Sequence, residues 1–574
     1  MRKTARVGFW WPVGLVPSLL LAGCTGAIGV SGGKPEGTPG ANGTGSGSPG
    51  GAVGAGPIAE SPSPRLLRQL TNSEYHATVV DLLGIADPDT TMIPPSTAFG
   101  GFTTNVTGSF VTEGYLDAYS SVAEALAKRA IVESYARVVP CQTKDAVCAG
   151  AFIEAFGKRA FRRPLTADEK TRYLGFFDPA LTGGDFVTGV SLALRAMLAS
   201  PSFLFRSELG RDMGGGRFVL TPHEIATTLS YTYWGTMPDD KLFAAADSGA
   251  LSARAEIEAQ ARRLLVDPRG RAHVATFFSE WLEAPRAFIA TKDMDTYPSL
   301  FNAPGGLSAV VDAMRAEEDA FVTNVVFDST KKFPELFTAS YTFANDRLAT
   351  LYGLNAPGAS QAVKVALPTT GKRGGLLTLG MVLLGHARTN ESSPTQRGHM
   401  IRANLLCNEV PPPPPGVDAT VKPGTPGVTA REQIEALTGS GTCASCHSLM
   451  NPIGYGLEGF DGAGLERTLD NGEAVDTSGA LKDLVGPSGT QSFTFNGARE
   501  LSTVIASSDA AKACLAQNYH RFARGFVSYG ADTGAVQKLS ADFLARDLEI
   551  PELFVQVALQ DSFVTRRSAD MVQR

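Results

Sequence analysis

Three segments of this 574-residue chain open a helix in the same way, and that repetition constrains the fold more than any other feature. Leu70-Thr71-Asn72-Ser73-Glu74, Leu165-Thr166-Ala167-Asp168-Glu169 and Leu220-Thr221-Pro222-His223-Glu224 each place Thr at an N-cap and Glu three residues on. In that capping box the hydroxyl and the carboxylate satisfy backbone N–H groups reciprocally, with a leucine ahead to staple the entry. Pro222 falls at the first helical position, where its missing N–H costs nothing. Gly84 suits the end of the first helix. The spacing of the three starts is irregular and their flanks differ, so they are a reused cap and not an internal repeat.

Further apolar residues at helical spacing run through 122–138, 152–160, 186–198, 253–265, 272–282, 307–325 and 511–526. Strand patterns are sparse. The hairpin-type dipeptides Asp461-Gly462 and Asn471-Gly472 fall late in the body and lack alternating flanks. The expected fold is mainly α: a multi-domain helical body followed by a small α-helical C-terminal domain.

The ends of the chain bear on its location. Arg2, Lys3 and Arg6 precede an apolar run to Leu21, broken by Pro12 and Pro17 and ending in Leu21-Ala22-Gly23-Cys24. This reads as a secretory signal too short to span a bilayer. Its ending resembles a lipobox, implying cleavage before a lipidated Cys24, and Thr25 favours the outer membrane, on its periplasmic or cell-surface face. Residues 24–64 are rich in Gly, Ser and Pro and form a tether. A second Pro-rich stretch, 411–430, is a stiff spacer. The net charge is −6 with no basic stripe, so no nucleic-acid partner is expected.

Seven cysteines are used sparingly. Cys443-Ala444-Ser445-Cys446-His447 has the spacing of c-type haem attachment, in which two thiols bond the haem vinyl groups and the imidazole reaches the iron. One covalent haem c is therefore expected on Cys443, Cys446 and His447. The alternatives are a disulfide or zinc, but zinc needs four ligands and no second Cys/His pair lies nearby. With Cys24 assigned to lipid, four cysteines remain in an oxidising compartment. Cys141 with Cys148 and Cys407 with Cys514 is the pairing taken here, although sequence leaves the connectivity open.

Several motifs together resemble a known family: exported planctomycete and myxobacterial proteins built from consecutive 1587-, 1595-, 1592-, 1588- and 1585-type domains of unknown function. They are Arg68 to Tyr75 with Asp81-Leu82-Leu83-Gly84, Phe156 to Thr166, Leu229 to Trp234 with Met237-Pro238-Asp239, and Arg373 to Leu377. Ser393 to Gly398, and Cys443 to His447 followed by Asn451 to Asp461, complete the set. The resemblance covers nearly everything after the tether. It implies a cytochrome-c-like C-terminal region and gives no substrate. Asn451 stands where Asp is expected.

The domain order read from the chain is signal peptide 1–23, tether 24–64, an N-terminal helical domain 65–210 and a central one 211–365. A helical hairpin 366–410, the spacer 411–430 and a cytochrome-c-like haem domain 431–574 follow. Candidate sixth ligands to the iron are His386, His399, Met400 and His520; the neighbours of His520, Tyr519 and Arg521, suggest a surface position for it. An open sixth position would favour peroxidase-like chemistry over simple electron transfer. Arg431 and Arg467 are candidates for the haem propionates, and Glu458 with Asp461 for calcium, against a turn held by side-chain-to-backbone bonds. Arg159, Arg162 and Arg163, or Tyr231, Tyr233 and Trp234, are candidates for glycan contacts, against pairing and core packing.

The functional expectation is a membrane-anchored, haem-bearing lipoprotein with an unknown redox partner. The alternative is a surface binding or scaffold protein without redox activity. Beyond haem, no His-Glu-x-x-His, nucleophile elbow or phosphate loop is present in the folded body.

Overall fold

The computed structural model describes residues 62–105, 112–411, 426–525 and 533–568. Cys24, the signal segment and nearly all of the tether and spacer lie outside the described residues. The described chain is mainly helical with a few small sheets.

The capping boxes at Thr71/Glu74, Thr166/Glu169 and Thr221/Glu224 all form, and a fourth appears at Thr429/Glu432. Each leads a helix: Asn72–Leu83, Ala167–Leu174, Pro222–Trp234 and Ala430–Thr438. Gly84 ends the first in the left-handed conformation, φ 72°. The periodic stretches become Glu113–Glu133, Ala146–Phe161, Phe186–Leu198, Arg254–Val266, Pro268–Trp281, Gly306–Thr323 and Asp509–Arg524.

Strands depart from the expected all-helical C-terminal region: Leu469–Asp470 and Glu473–Ala474 pair antiparallel about Asn471-Gly472, and a longer hairpin follows. Ser478–Gly486 and Gly489–Asn496 form an antiparallel hairpin, with a register shift between Leu481 and Leu484. Leu481, Leu484 and Phe495 are buried there, so the strands carry an inward face despite an irregular alternation. The bulge is why the period of two is broken in the sequence.

The first and last described segments meet. Ser63–Pro64 pairs in parallel with Thr565–Arg567, which pairs antiparallel with Arg217–Val219. Leu66–Gln69 pairs antiparallel with Phe205–Glu208. Between these short strands lies a buried ionic cluster. Glu208 accepts from Arg68 Nη1 at 3.1 Å and Arg566 Nε at 3.0 Å, and Arg206 pairs with Glu74 at 3.1 Å. Burial alone would raise the Glu208 carboxyl; Arg566, Arg68, Arg524 and Arg206 outweigh it and hold it far below the usual range.

The largest apolar cluster runs from Phe102 to Phe563. It joins Leu229 and Phe277 of the central helices to Ile453, Leu457 and Phe460 beyond the haem motif, and to Leu501 and Leu515 after the hairpin. A second cluster holds the N-terminal helices. Cys141 is joined to Cys148 (Cα–Cα 5.8 Å) and Cys407 to Cys514 (Cα–Cα 5.4 Å). The second bridge ties the end of the Pro394 segment to the Asp509–Arg524 helix across 107 residues.

Two adjacent carboxyls on Gly306–Thr323 are fully buried and treated differently. Glu317 accepts from Thr342 Oγ1 (2.5 Å), Tyr352 Oη (2.7 Å) and the Gly380 amide (3.1 Å). Glu318 has no partner on either oxygen, and burial raises it to about 8. A raised carboxyl favours the fold as the neutral acid, so its full contribution holds below the unfolded value of about 4.3 and is lost as pH climbs toward 8. Glu318→Gln should therefore gain stability relative to wild type on going from pH 5 to pH 9, by roughly 4–5 kcal/mol at most. Urea midpoints at the two pH values measure it; parallel pH profiles for the two proteins would overturn it.

Candidate haem-attachment site

The motif residues lie on the helix Gly441–Gly454. The three-residue step from Cys443 to Cys446 spans about one turn, and His447 follows directly, four residues from Cys443. Both thiols are free and half-buried, so the disulfide alternative does not form. His447 is also half-buried. The helix runs through Pro452, ends at Gly454 and then tightens into Tyr455–Leu457. Proline has no N–H to give the Ser448 carbonyl, and exposure of Ser448 makes that loss cheap.

The motif helix is held by close packing on Pro394–Met400. A Cβ on Gly398 would overlap the Met450 carbonyl, and one on Gly454 would overlap the Pro394 carbonyl. Two glycines facing opposite backbones let the helices touch in an antiparallel register. Arg397, fully buried beside this contact, donates to the carbonyls of Leu457 and Phe460 at 2.9 Å each. Both carbonyls follow the motif helix; that of Leu457 also accepts from the Phe460 amide at 3.1 Å, so the guanidinium braces the turn that leaves the helix.

His447 is oriented from behind. Its Nδ1 lies 3.1 Å from Asn451 Oδ1. That oxygen also accepts from Thr395 Oγ1 at 2.9 Å, and Asn451 Nδ2 donates to Thr438 Oγ1 at 3.0 Å. A histidine tied at Nδ1 presents Nε2 as its coordinating atom. Two reduced thiols a turn apart and an imidazole with Nε2 uncommitted fit the donor set that covalent haem requires. No metal-holding group of three His, Cys, Asp or Glu converges among the described residues.

The sixth-ligand candidates are dispersed. His386 is buried, with Nδ1 against the Val382 carbonyl (2.9 Å) and Nε2 against Glu283 (3.3 Å). The bond to His386, with burial opposing it, holds the Glu283 carboxyl down at about 2. Met400 is fully enclosed in the largest core cluster. His520 corrects the surface expectation: it is 1% exposed, neither ring nitrogen has a partner, and burial followed by Arg524 and Arg521 lowers it to about 3. Tyr519 beside it is itself core, stacked 3.8 Å from Phe554, so its polar oxygen misled the sequence reading. His399 is exposed.

The remaining candidates are committed elsewhere. Arg467 bonds Glu458 (2.8 Å) and Asp470 (2.6 Å), and Arg431 bonds Asp476 (2.9 Å) and Glu435 (3.0 Å). Glu458 is buried between Arg467 and Arg397; burial pushes its carboxyl up against their opposing pull. Asp461 Oδ1 accepts from the amides of Ala463 (2.9 Å) and Leu465 (2.8 Å), the turn and not a calcium loop. Arg159 pairs with Asp240, Arg163 with Glu169, and Arg162 donates to the carbonyls of Ser202, Phe203 and Phe205. Tyr231, Tyr233 and Trp234 are core residues.

Sequence reasoning placed Thr395, Arg397 and Asn451 in family motifs but missed what each of them does, and it missed Lys292 altogether. The Lys292 ammonium donates to the Arg388 carbonyl at 2.8 Å, and burial, then Arg397, lowers it to about 7. No periodicity marks such residues, because each acts across the chain.

Five family models for proteins of unknown function match in series. They are DUF1587 over 68–132, DUF1595 over 148–208, DUF1592 over 220–354, DUF1588 (PSCyt3) over 373–470 and DUF1585 over 492–563. The chain belongs to this multi-domain family. No curated protein and no solved structure matches it. The 1588-type domain contains both packed helices, the Arg397 hub and the entire Cys443–His447 motif.

Gly454→Ala should force the motif helix off its partner and cost roughly 1–3 kcal/mol, the usual price of overpacking. Gly150→Ala, on a helix with open space around it, should be neutral or stabilising. Chemical denaturation of both checks this; equal stabilities would refute the close-packing account.

Proposed function

We propose that this chain is an exported haem protein with a redox role, anchored by lipid at Cys24 to the outer membrane. One haem would be held in the 1588-type domain. Cys443 and Cys446 would each bond it through sulfur, and His447 would ligate the iron through Nε2. When bound, a c-type haem supplies one-electron transfer or small-ligand chemistry.

The observation that carries this reading is the pair of free thiols one turn apart beside an imidazole whose Nδ1 is already tied to Asn451. The cytochrome-like name of the matching family model supports it. Enclosure of His386, Met400 and His520 favours an open sixth position, hence small-ligand or peroxidase-like chemistry, for which the substrate and redox partner remain to be found. The scaffold alternative keeps fewer of its proposed glycan contacts, since Arg162, Tyr231, Tyr233 and Trp234 are buried, while Arg159 and Arg163 form half-exposed ion pairs with Asp240 and Glu169.

Protein matured with c-type haem machinery should give a pyridine haemochrome spectrum, and its haem should resist acid acetone. Cys446→Ser should leave a single thioether with a red-shifted haemochrome band. Haem that washes out, or never binds, would overturn the proposal. Separately, Cys24→Ala should release the chain from membranes into the aqueous phase of a detergent split; continued partitioning with detergent would refute lipidation.

A further inference from the structure

Asn451 is 4% exposed and joins three helices, and its hydrogen bonds determine a proton position. Thr438 Oγ1 lies 2.6 Å from the Ile434 carbonyl, to which it donates its only hydrogen. It can then only accept from Asn451, which assigns the amide nitrogen to the Thr438 side. The Asn451 oxygen must face the other way, toward Thr395 Oγ1 and His447 Nδ1. An amide oxygen has no hydrogen to give, so Nδ1 of His447 carries one, and in the neutral ring Nε2 holds the lone pair.

We infer that Asn451 is a positioning residue that sets the tautomer of His447 before any haem is attached, and the electron donation of its imidazole afterwards. Its second part rests on the haem reading above. A neutral amide polarises the Nδ1–H bond less than a carboxylate does. It therefore leaves the imidazole a weaker donor and the ferric state less stabilised than an aspartate would at this position. Thr395 and Thr438 hold the amide from two other helices, so the setting is built into the packing and does not depend on haem.

Two measurements separate this inference from the haem assignment. Haem-free protein carrying ring-15N histidine gives solid-state NMR signals from seven histidines, with His447 assigned through His447→Gln. The wild-type signal should be that of the Nδ1–H tautomer, and Asn451→Leu or Thr438→Val should shift it toward Nε2–H. An Nε2–H wild type overturns the inference whether or not haem binds. An Nδ1–H wild type that never acquires haem supports it and sinks the haem assignment alone. In haem-loaded protein, Asn451→Asp should shift the Fe(III)/Fe(II) equilibrium toward Fe(III) about tenfold, about 59 mV for one electron. An unchanged midpoint in that near-isosteric variant overturns the electronic part.

Discussion

The Glu208 carboxylate is the interaction on which the closure of the fold depends. It sits out of water between Arg68, from the second described strand, and Arg566, from the last. A buried charge is tolerated only with a well-placed counter-charge, and removing one partner of such a set typically costs about 3–5 kcal/mol. Here two guanidiniums from opposite ends of the chain converge on one acid, so neither terminal segment can be displaced without stranding it. Arg524 extends the cluster, donating to Ser63 Oγ at 2.8 Å and the Ser562 carbonyl at 2.9 Å.

That closure explains why the apolar interior does not divide at the haem motif. With the C-terminal segment locked to strands near residues 205–219, the helices after the hairpin must pack on the central helices. Tyr519 lies within 5.2 Å of Phe277, and Tyr233 donates to the Phe554 carbonyl at 2.9 Å. The Cys407–Cys514 bridge holds the same junction covalently. The motif helix is thus pinned along its inner face by the Pro394 helix and the core, while the thiols and imidazole lie on its half-exposed side. The half-exposed Cys443, Cys446 and His447 thus have a rigid support behind them.

Local signals were legible wherever the physics is local. The capping boxes at Thr71, Thr166 and Thr221 marked true helix starts because cap and carboxylate lie three residues apart. The hairpin at 478–496 escaped because its bulge breaks alternation. His520 was misplaced because its polar neighbour Tyr519 is buried by its ring, a fact visible only once Phe277 and Phe554 are beside it.

The sequence by itself determined the helical class, the succession of family domains and the place of the Cys443–His447 motif, since each is written in residues within a few positions of one another. Only the tertiary structure decided that Asn451 orients His447, that Gly398 and Gly454 are glycines because two backbones touch, and that Arg68 and Arg566 share one acid. Those are contacts between residues from 4 to 358 positions apart. Hydrogen-bond direction, steric exclusion and charge burial set them, and none of these leaves a periodic trace along the chain.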